Sequence, residues 1–156
     1  MKTLLVGLGN PILGDDGVGW RIVREVEQKR PNTEALYLAV GGIGLMEQLV
    51  GYDRVIIVDS LDSGLAPPGT VHSFLLSEIP DRTSGHTASA HDTSLQNALE
   101  VGRLLGAHLP DQVMIVGVES QAVYEFSETF SQAVSDAIPI AVHKVLELLN
   151  PNGKEG

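Results

Sequence analysis

At 156 residues, with 43% hydrophobic and 19% charged residues, the chain is long enough to bury a core as one globular domain. Its 20 acidic residues against 10 basic ones give a net charge of −10, and a surface of that sign repels phosphate backbones, which argues against a nucleic-acid partner. The absence of cysteine removes disulfides, thiolate ligands and a cysteine nucleophile together, and no apolar run reaches the roughly 18 residues of a membrane-spanning helix.

Taken in order, Met1-Lys2-Thr3 leads straight into an apolar strand over residues 3–7 rather than a secretory pattern, so a cytoplasmic protein is expected. A glycine-rich loop, Gly7-Leu8-Gly9-Asn10-Pro11-Ile12-Leu13-Gly14-Asp15-Asp16-Gly17-Val18-Gly19, follows it. Val18, Ile22 and Val26, four apart, then predict an amphipathic helix from residue 17 to 29, stopped by Pro31-Asn32. Leu36 to Val40 reads as a second strand ending in Gly41-Gly42, with a short helix from Leu45 to Val50. Val55-Ile56-Ile57-Val58 has the continuous β-branched character of a strand buried on both faces, and it ends at Asp59. Thr70 to Leu75 fits an edge strand after the Pro67-Pro68-Gly69 turn, and residues 77–90 read as irregular. Asp92 or Thr93 can cap a helix to Leu105, and Val113 to Val118 is the last strong strand. Ser127 is expected to cap a final helix to Leu149, with Phe126 before it, Phe130, Val134, Ile138 and Val142 on one face and a kink at Pro139. Strands alternating with helices predict a three-layer α/β sandwich: a mostly parallel, twisted sheet of about five strands with helices on both faces. Residues 1–150 read as one domain, and 151–156 as a frayed tail.

In such a sheet the loops at the carboxyl ends of the strands form the ligand crevice. Asp16 follows the first strand and Asp59 closes the third, so both open on that edge. Asp59 can also serve simply to cap the turn into Ser60. His91, in Ser89-Ala90-His91-Asp92 before a helix, adds a nitrogen donor, and His86 competes for the same role. Two carboxylates and an imidazole suit a borderline divalent ion such as nickel or zinc and leave positions open. His72, His108 and His143 read as structural.

Other patterns carry less. Gly7-x-Gly9 begins a dinucleotide fingerprint, but Ile12 occupies its third glycine position. Leu61-Asp62-Ser63-Gly64 resembles the Asp-Ser-Gly of pepsin-like proteases, yet those are all-β, and a turn is the better reading here. There is no Gly-x-Ser-x-Gly elbow and no His-Glu-x-x-His helix. If the chain is a hydrolase, an activated water is its expected nucleophile.

With these residues in place, the chain resembles the maturation endopeptidases of nickel–iron hydrogenases. The likeness lies in the order Gly7-x-Gly9-Asn10, Asp15-Asp16, Gly19, Gly41-Gly42, a strand ending in Asp59, Ser89-x-His91 before a helix, and Gly117-Val118-Glu119. The resemblance implies an aspartic-type peptidase that removes a C-terminal peptide from the hydrogenase large-subunit precursor after nickel insertion. It implies that Asp16, Asp59 and His91 form the metal and catalytic site and engage substrate-borne nickel, for which zinc or another divalent ion could substitute. Asn10, Gly41 and Gly42 are candidate substrate-recognition positions. Around the double glycine the run Ala39-Val40-Gly41-Gly42-Ile43-Gly44 is more apolar than in relatives and lacks their preceding aspartate, which bears on substrate identity. Two alternatives share the features: a peptidyl-tRNA hydrolase, whose family opens with a similar Gly7–Pro11 run but continues differently at Ile12 and Asp15-Asp16, and a non-catalytic metal- or nucleotide-binding module.

Overall fold

The apolar runs at Leu4, Val55 and Val113 become neighbouring strands. The structure, a computed structural model, describes residues 1–78, 90–121 and 125–150, and of 90–94 only the backbone. Its elements are β1 (Thr3–Leu8), α1 (Val18–Lys29), β2 (Ala35–Leu38), α2 (Gly42–Gln48), β3 (Arg54–Leu61), β4 (Val71–Leu75), α3 (Ala90–Leu104), β5 (Gln112–Glu119) and α4 (Gln132–Leu149). They build one five-stranded sheet in the order β2-β1-β3-β5-β4. All neighbours run parallel except β4, which lies antiparallel to β5 at the edge, Val71 opposite Val118 and Leu75 opposite Met114.

Side-chain alternation along the strands divides the core between two layers of helices. Leu4, Val6 and Leu8 of β1 join Val55 and Ile57 of β3 beneath Leu45, Leu49, Leu95 and Leu99, where α2 packs on α3. On the other face Leu5, Ile56, Val58 and Val116 meet Val18, Ile22 and Val26 of α1 and Val134, Ile138 and Val142 of α4. Val18, Ile22 and Val26 are wholly buried, and full burial of a side chain of that kind contributes about 1.5–3 kcal/mol. The α1 stripe read from its four-residue spacing is therefore what docks that helix. The result is the three-layer α/β fold expected from the sequence.

Several boundaries differ from the sequence reading. Strand β3 does not stop at Asp59: Asp59, Ser60 and Leu61 pair with Gly117, Val118 and Glu119, so the aspartate lies inside the ladder. Helix α2 begins earlier than expected, at Gly42, and α3 begins at Ala90, which puts His91 in the first turn rather than before the helix. Helix α4 begins at Gln132 with Ser131 at its cap position, not at Ser127. Phe126 is 85% exposed rather than buried as a staple. Ser127 is drawn off by distant partners: its amide donates to Ile12 O at 2.9 Å, and its carbonyl accepts from Gly14 N at 2.7 Å. Leu76–Glu78 make a short helical turn in the stretch read as irregular. Most of the remainder of that stretch, His86 and the 151–156 tail lie outside the described residues.

Candidate active site

The glycine loop carries β1 into α1 at the carboxyl edge of the sheet. Gly9 turns at φ +141°, and a Cβ there would stand 2.0 Å from the carbonyl oxygen of Asp16, so only glycine lets the loop fold back on itself. Gly19, in the first turn of α1, lies against the ends of β1 and β3: a Cβ there would be 2.2 Å from Val58 O and 2.7 Å from Leu8 O. That contact seats the helical turn Gly14–Gly17, which bears both aspartates, beside the end of β3.

The two adjacent aspartates then point to different partners. Asp15 turns to α4, accepting the Ser131 amide on Oδ1 and the Ser131 hydroxyl on Oδ2, both at 2.8 Å. Asp16 turns to the sheet. Its Oδ2 accepts the Asn10 amide at 2.8 Å, and the Ser60 hydroxyl makes a long contact with its Oδ1 at 3.4 Å. Asp59 is 0% exposed, and its Oδ1 accepts the amide of Ser60 at 2.8 Å. Ser60 thus spans the two carboxylates, amide to Asp59 and hydroxyl to Asp16. The sequence reading had Ser60 only as the turn that Asp59 caps; the reach of its hydroxyl to Asp16 is what it missed.

Asn10 also organises the loop, accepting the Ile12 amide on Oδ1 at 3.2 Å. Gly41 is extended ahead of α2, and Gly42 adopts φ +54°. These two glycines follow β2 on the same carboxyl edge, where the Leu38 carbonyl accepts both the Gly9 amide at 2.9 Å and the Trp20 indole N–H at 3.0 Å. His91 stands in the first turn of α3, and its side chain lies outside the described residues. Among the described residues no three His, Asp or Glu side chains are grouped to hold a metal ion. The pair Asp16 and Asp59 supplies hard oxygen donors, and a metal that favours mixed oxygen and nitrogen ligation needs a further donor such as an imidazole. Among the described residues three other histidines have carboxylate neighbours of their own: His72 with Glu119 at 3.1 Å, His108 with Asp53 at 3.2 Å and His143 with Glu147 at 2.8 Å.

Fold and edge together define an α/β protein with two carboxylates gathered where parallel strands end. Comparison with known proteins narrows this. The family model described as hydrogenase maturation protease matches residues 20–148. The hydrogenase 2 maturation protease of Escherichia coli strain K12 is 30% identical over 158 aligned residues, covering 99% of this chain and 94% of its own. The solved structure of the hydrogenase maturating endopeptidase HybD from Escherichia coli superposes with a TM-score of 0.79 at 28% identity, covering 98% of this chain and 94% of that one. The hydrogenase expression/formation protein HoxM of Cupriavidus necator is 27% identical over 150 residues, 94% of this chain and 73% of its own length. The chain belongs to the hydrogenase maturation protease family and is, as a member, a peptidase of hydrogenase maturation. The family match begins at residue 20. It therefore rests on the body of the fold and not on the Gly7–Pro11 opening that peptidyl-tRNA hydrolases share.

Proposed function

We propose that this peptidase removes the C-terminal extension of a nickel-loaded nickel–iron hydrogenase large-subunit precursor, with Asp16, Asp59 and His91 engaging the nickel that the precursor carries. The observation that supports it most directly is that Ser60 contacts both Asp59 and Asp16, so two carboxylates meet on the carboxyl edge of the sheet although 43 positions of sequence separate them. Asp59, sunk in the sheet, is tied by the amide of its own neighbour, while Asp16 is half-buried and held through the Asn10 amide. One carboxylate is therefore rigid and the other reachable, an arrangement suited to receiving a cation presented by a protein substrate. An imidazole at His91 would complete a mixed donor set that accepts nickel or zinc. In the reaction, water adds to the scissile carbonyl, the C–N bond breaks and a new carboxy terminus is left on the precursor. An aspartate that receives the proton of that water makes the enzyme aspartic-type.

The test is to mix the protein with nickel-loaded and nickel-free precursor and follow precursor mass. The reading expects loss of the C-terminal peptide from the loaded form alone, and no loss with Asp16→Ala or His91→Ala. Equal cleavage of both forms would overturn the role of nickel. Intact precursor in both would favour a module that binds without cutting.

A further inference from the structure

The Asp62-Ser63-Gly64 turn, which the site above leaves unused, is fastened by a buried carboxylate. Glu119 ends β5 and is 2% exposed. Its Oε2 accepts the Ser63 amide at 3.3 Å, while its Oε1 accepts the Ser63 hydroxyl and faces His72 Nε2 at 3.1 Å. Its main chain ties the far end of the same loop: Gly69 N donates to Glu119 O at 2.7 Å, and Glu119 N donates to Thr70 O at 2.9 Å. One residue therefore closes both ends of the β3–β4 connection. A carboxylate removed from water is costly unless its oxygens are satisfied. Main-chain bonds close the far end, and at the near end the ladder runs to Leu61, whose carbonyl accepts the Ser120 amide at 2.7 Å. Besides facing His72, the carboxylate adds a side-chain tie to the chain at Ser63, two residues past the last ladder position.

That chain has little room to move by other means. Gly117, two residues before Glu119, is the register partner of both Asp59 and His72. A Cβ at Gly117 would lie 2.2 Å from Leu61 Cδ1, so Leu61 packs directly over β5. The loop beyond Ser63 displays Leu65, 70% exposed, on the carboxyl edge. We propose that Glu119 is a positioning residue: through Ser63 it pins the chain where it leaves the β3 ladder after Leu61, and so steadies Ser60 at that strand end between the two aspartates. Its bearing on catalysis rests on the hydrolytic reading above; its hold on Ser60 does not.

Glu119→Gln and Ser63→Ala, with Ser63→Thr as the conservative control, test this by two readouts on the full chain. Amide hydrogen exchange reads the hold on Ser60, and processing of the nickel-loaded precursor reads the reaction. Glutamine keeps one oxygen and sets an NH2 against a donor it formerly accepted. Leaving a buried donor unmatched corresponds to about ten-fold in an equilibrium. The expected result for Glu119→Gln is about ten-fold faster exchange at Ser60 and Ser63, unchanged exchange in β1 and α1, and a comparable fall in kcat with KM unchanged. Ser63→Ala should fall between, and Ser63→Thr should restore both readouts. Unchanged exchange at Ser60 in Glu119→Gln and Ser63→Ala overturns the proposal, as does looser exchange with unchanged kcat. Should Glu119→Gln fail to fold, the alanine and threonine pair at Ser63 decides alone. A wild-type chain that leaves every precursor intact overturns the hydrolytic reading, and exchange then decides whether Glu119 fixes Ser60.

Discussion

Strand β3 has one aspartate just before its first residue and another near its last, and the two edges of the sheet treat them in opposite ways. At the amino edge the Asp53 side chain is 43% exposed, accepts the Lys2 amide at 2.7 Å and faces His108 at 3.2 Å. The Lys2 amide holds its carboxyl below the usual aspartate range; partial desolvation opposes this and His108 assists it. Cations gather there: Lys2, whose Nζ lies 4.6 Å from the Tyr52 ring centre, and Lys29 and Arg30, which line a cavity of about 550 Å³. At the carboxyl edge Asp59 and Glu119 are buried and Asp16 half-buried, all held by backbone amides. This hollow and the chemistry thus sit at opposite ends of the same strands. Backbone amides satisfy carboxylates at both edges; what sets the carboxyl edge apart is burial, since Asp59 and Glu119 are out of water and must have their partners from the protein, whereas the Asp53 side chain is 43% exposed.

This contrast can be broken or sharpened by substitution. The largest effect belongs to Asp16→Ala, which should lower the rate of precursor processing by about 10²–10⁴-fold, the range supplied by one acid–base or charge-stabilising group. Steady-state processing at saturating precursor checks it. Next is Gly19→Ala. The added methyl would meet Val58 O at 2.2 Å, and with strand backbone unable to yield, the loss should reach about 3 kcal/mol, the upper range for overpacking. A shift of the urea midpoint at unchanged slope would show it. Asp15→Ala removes the acceptor of two bonds from Ser131 at the start of α4 and should cost about 0.5–2 kcal/mol, the range of a lost helix cap. That loss should appear in stability and leave processing by the neighbouring Asp16 intact.

The smallest effect is at Asp53. Its folded pKa lies below the ordinary aspartate value of 3.8, so its contribution is fully present above that value and is lost as pH falls from there through the depressed folded value. Asp53→Asn should be slightly less stable than wild type at neutral pH, and the two should converge in acid. Denaturation midpoints measured across that window check the sign, and because the group is exposed the gap should shrink in high salt.

Much of this frame was legible from residues alone. The β-branched run Val55–Val58 announced a strand buried on both faces, and the Val18, Ile22, Val26 spacing announced the docked face of α1. Asp16 and Asp59 could be placed on one edge because parallel strands end together. What sequence could not resolve were choices made by distant partners. Asp16 is the one of the adjacent pair that the sequence reading assigns to the site, but what separates the two is distant: Ser131 claims Asp15, while Asn10 and Ser60 meet Asp16. Ser127 carries every local sign of a cap, yet its main chain is taken by Ile12 and Gly14. Glu119 reads as a strand end, and nothing local announces that it closes a loop through Ser63 and Thr70. Such long-range hydrogen bonds leave no period in the sequence.

The most direct measurement sets the two ends of β3 against each other. Asp59→Asn and Asp53→Asn, each shown to be folded by circular dichroism, are given nickel-loaded precursor beside the wild type, and release of the C-terminal peptide is followed by mass. The account predicts processing at the wild-type rate by Asp53→Asn and none by Asp59→Asn. Processing at the wild-type rate by Asp59→Asn would contradict it.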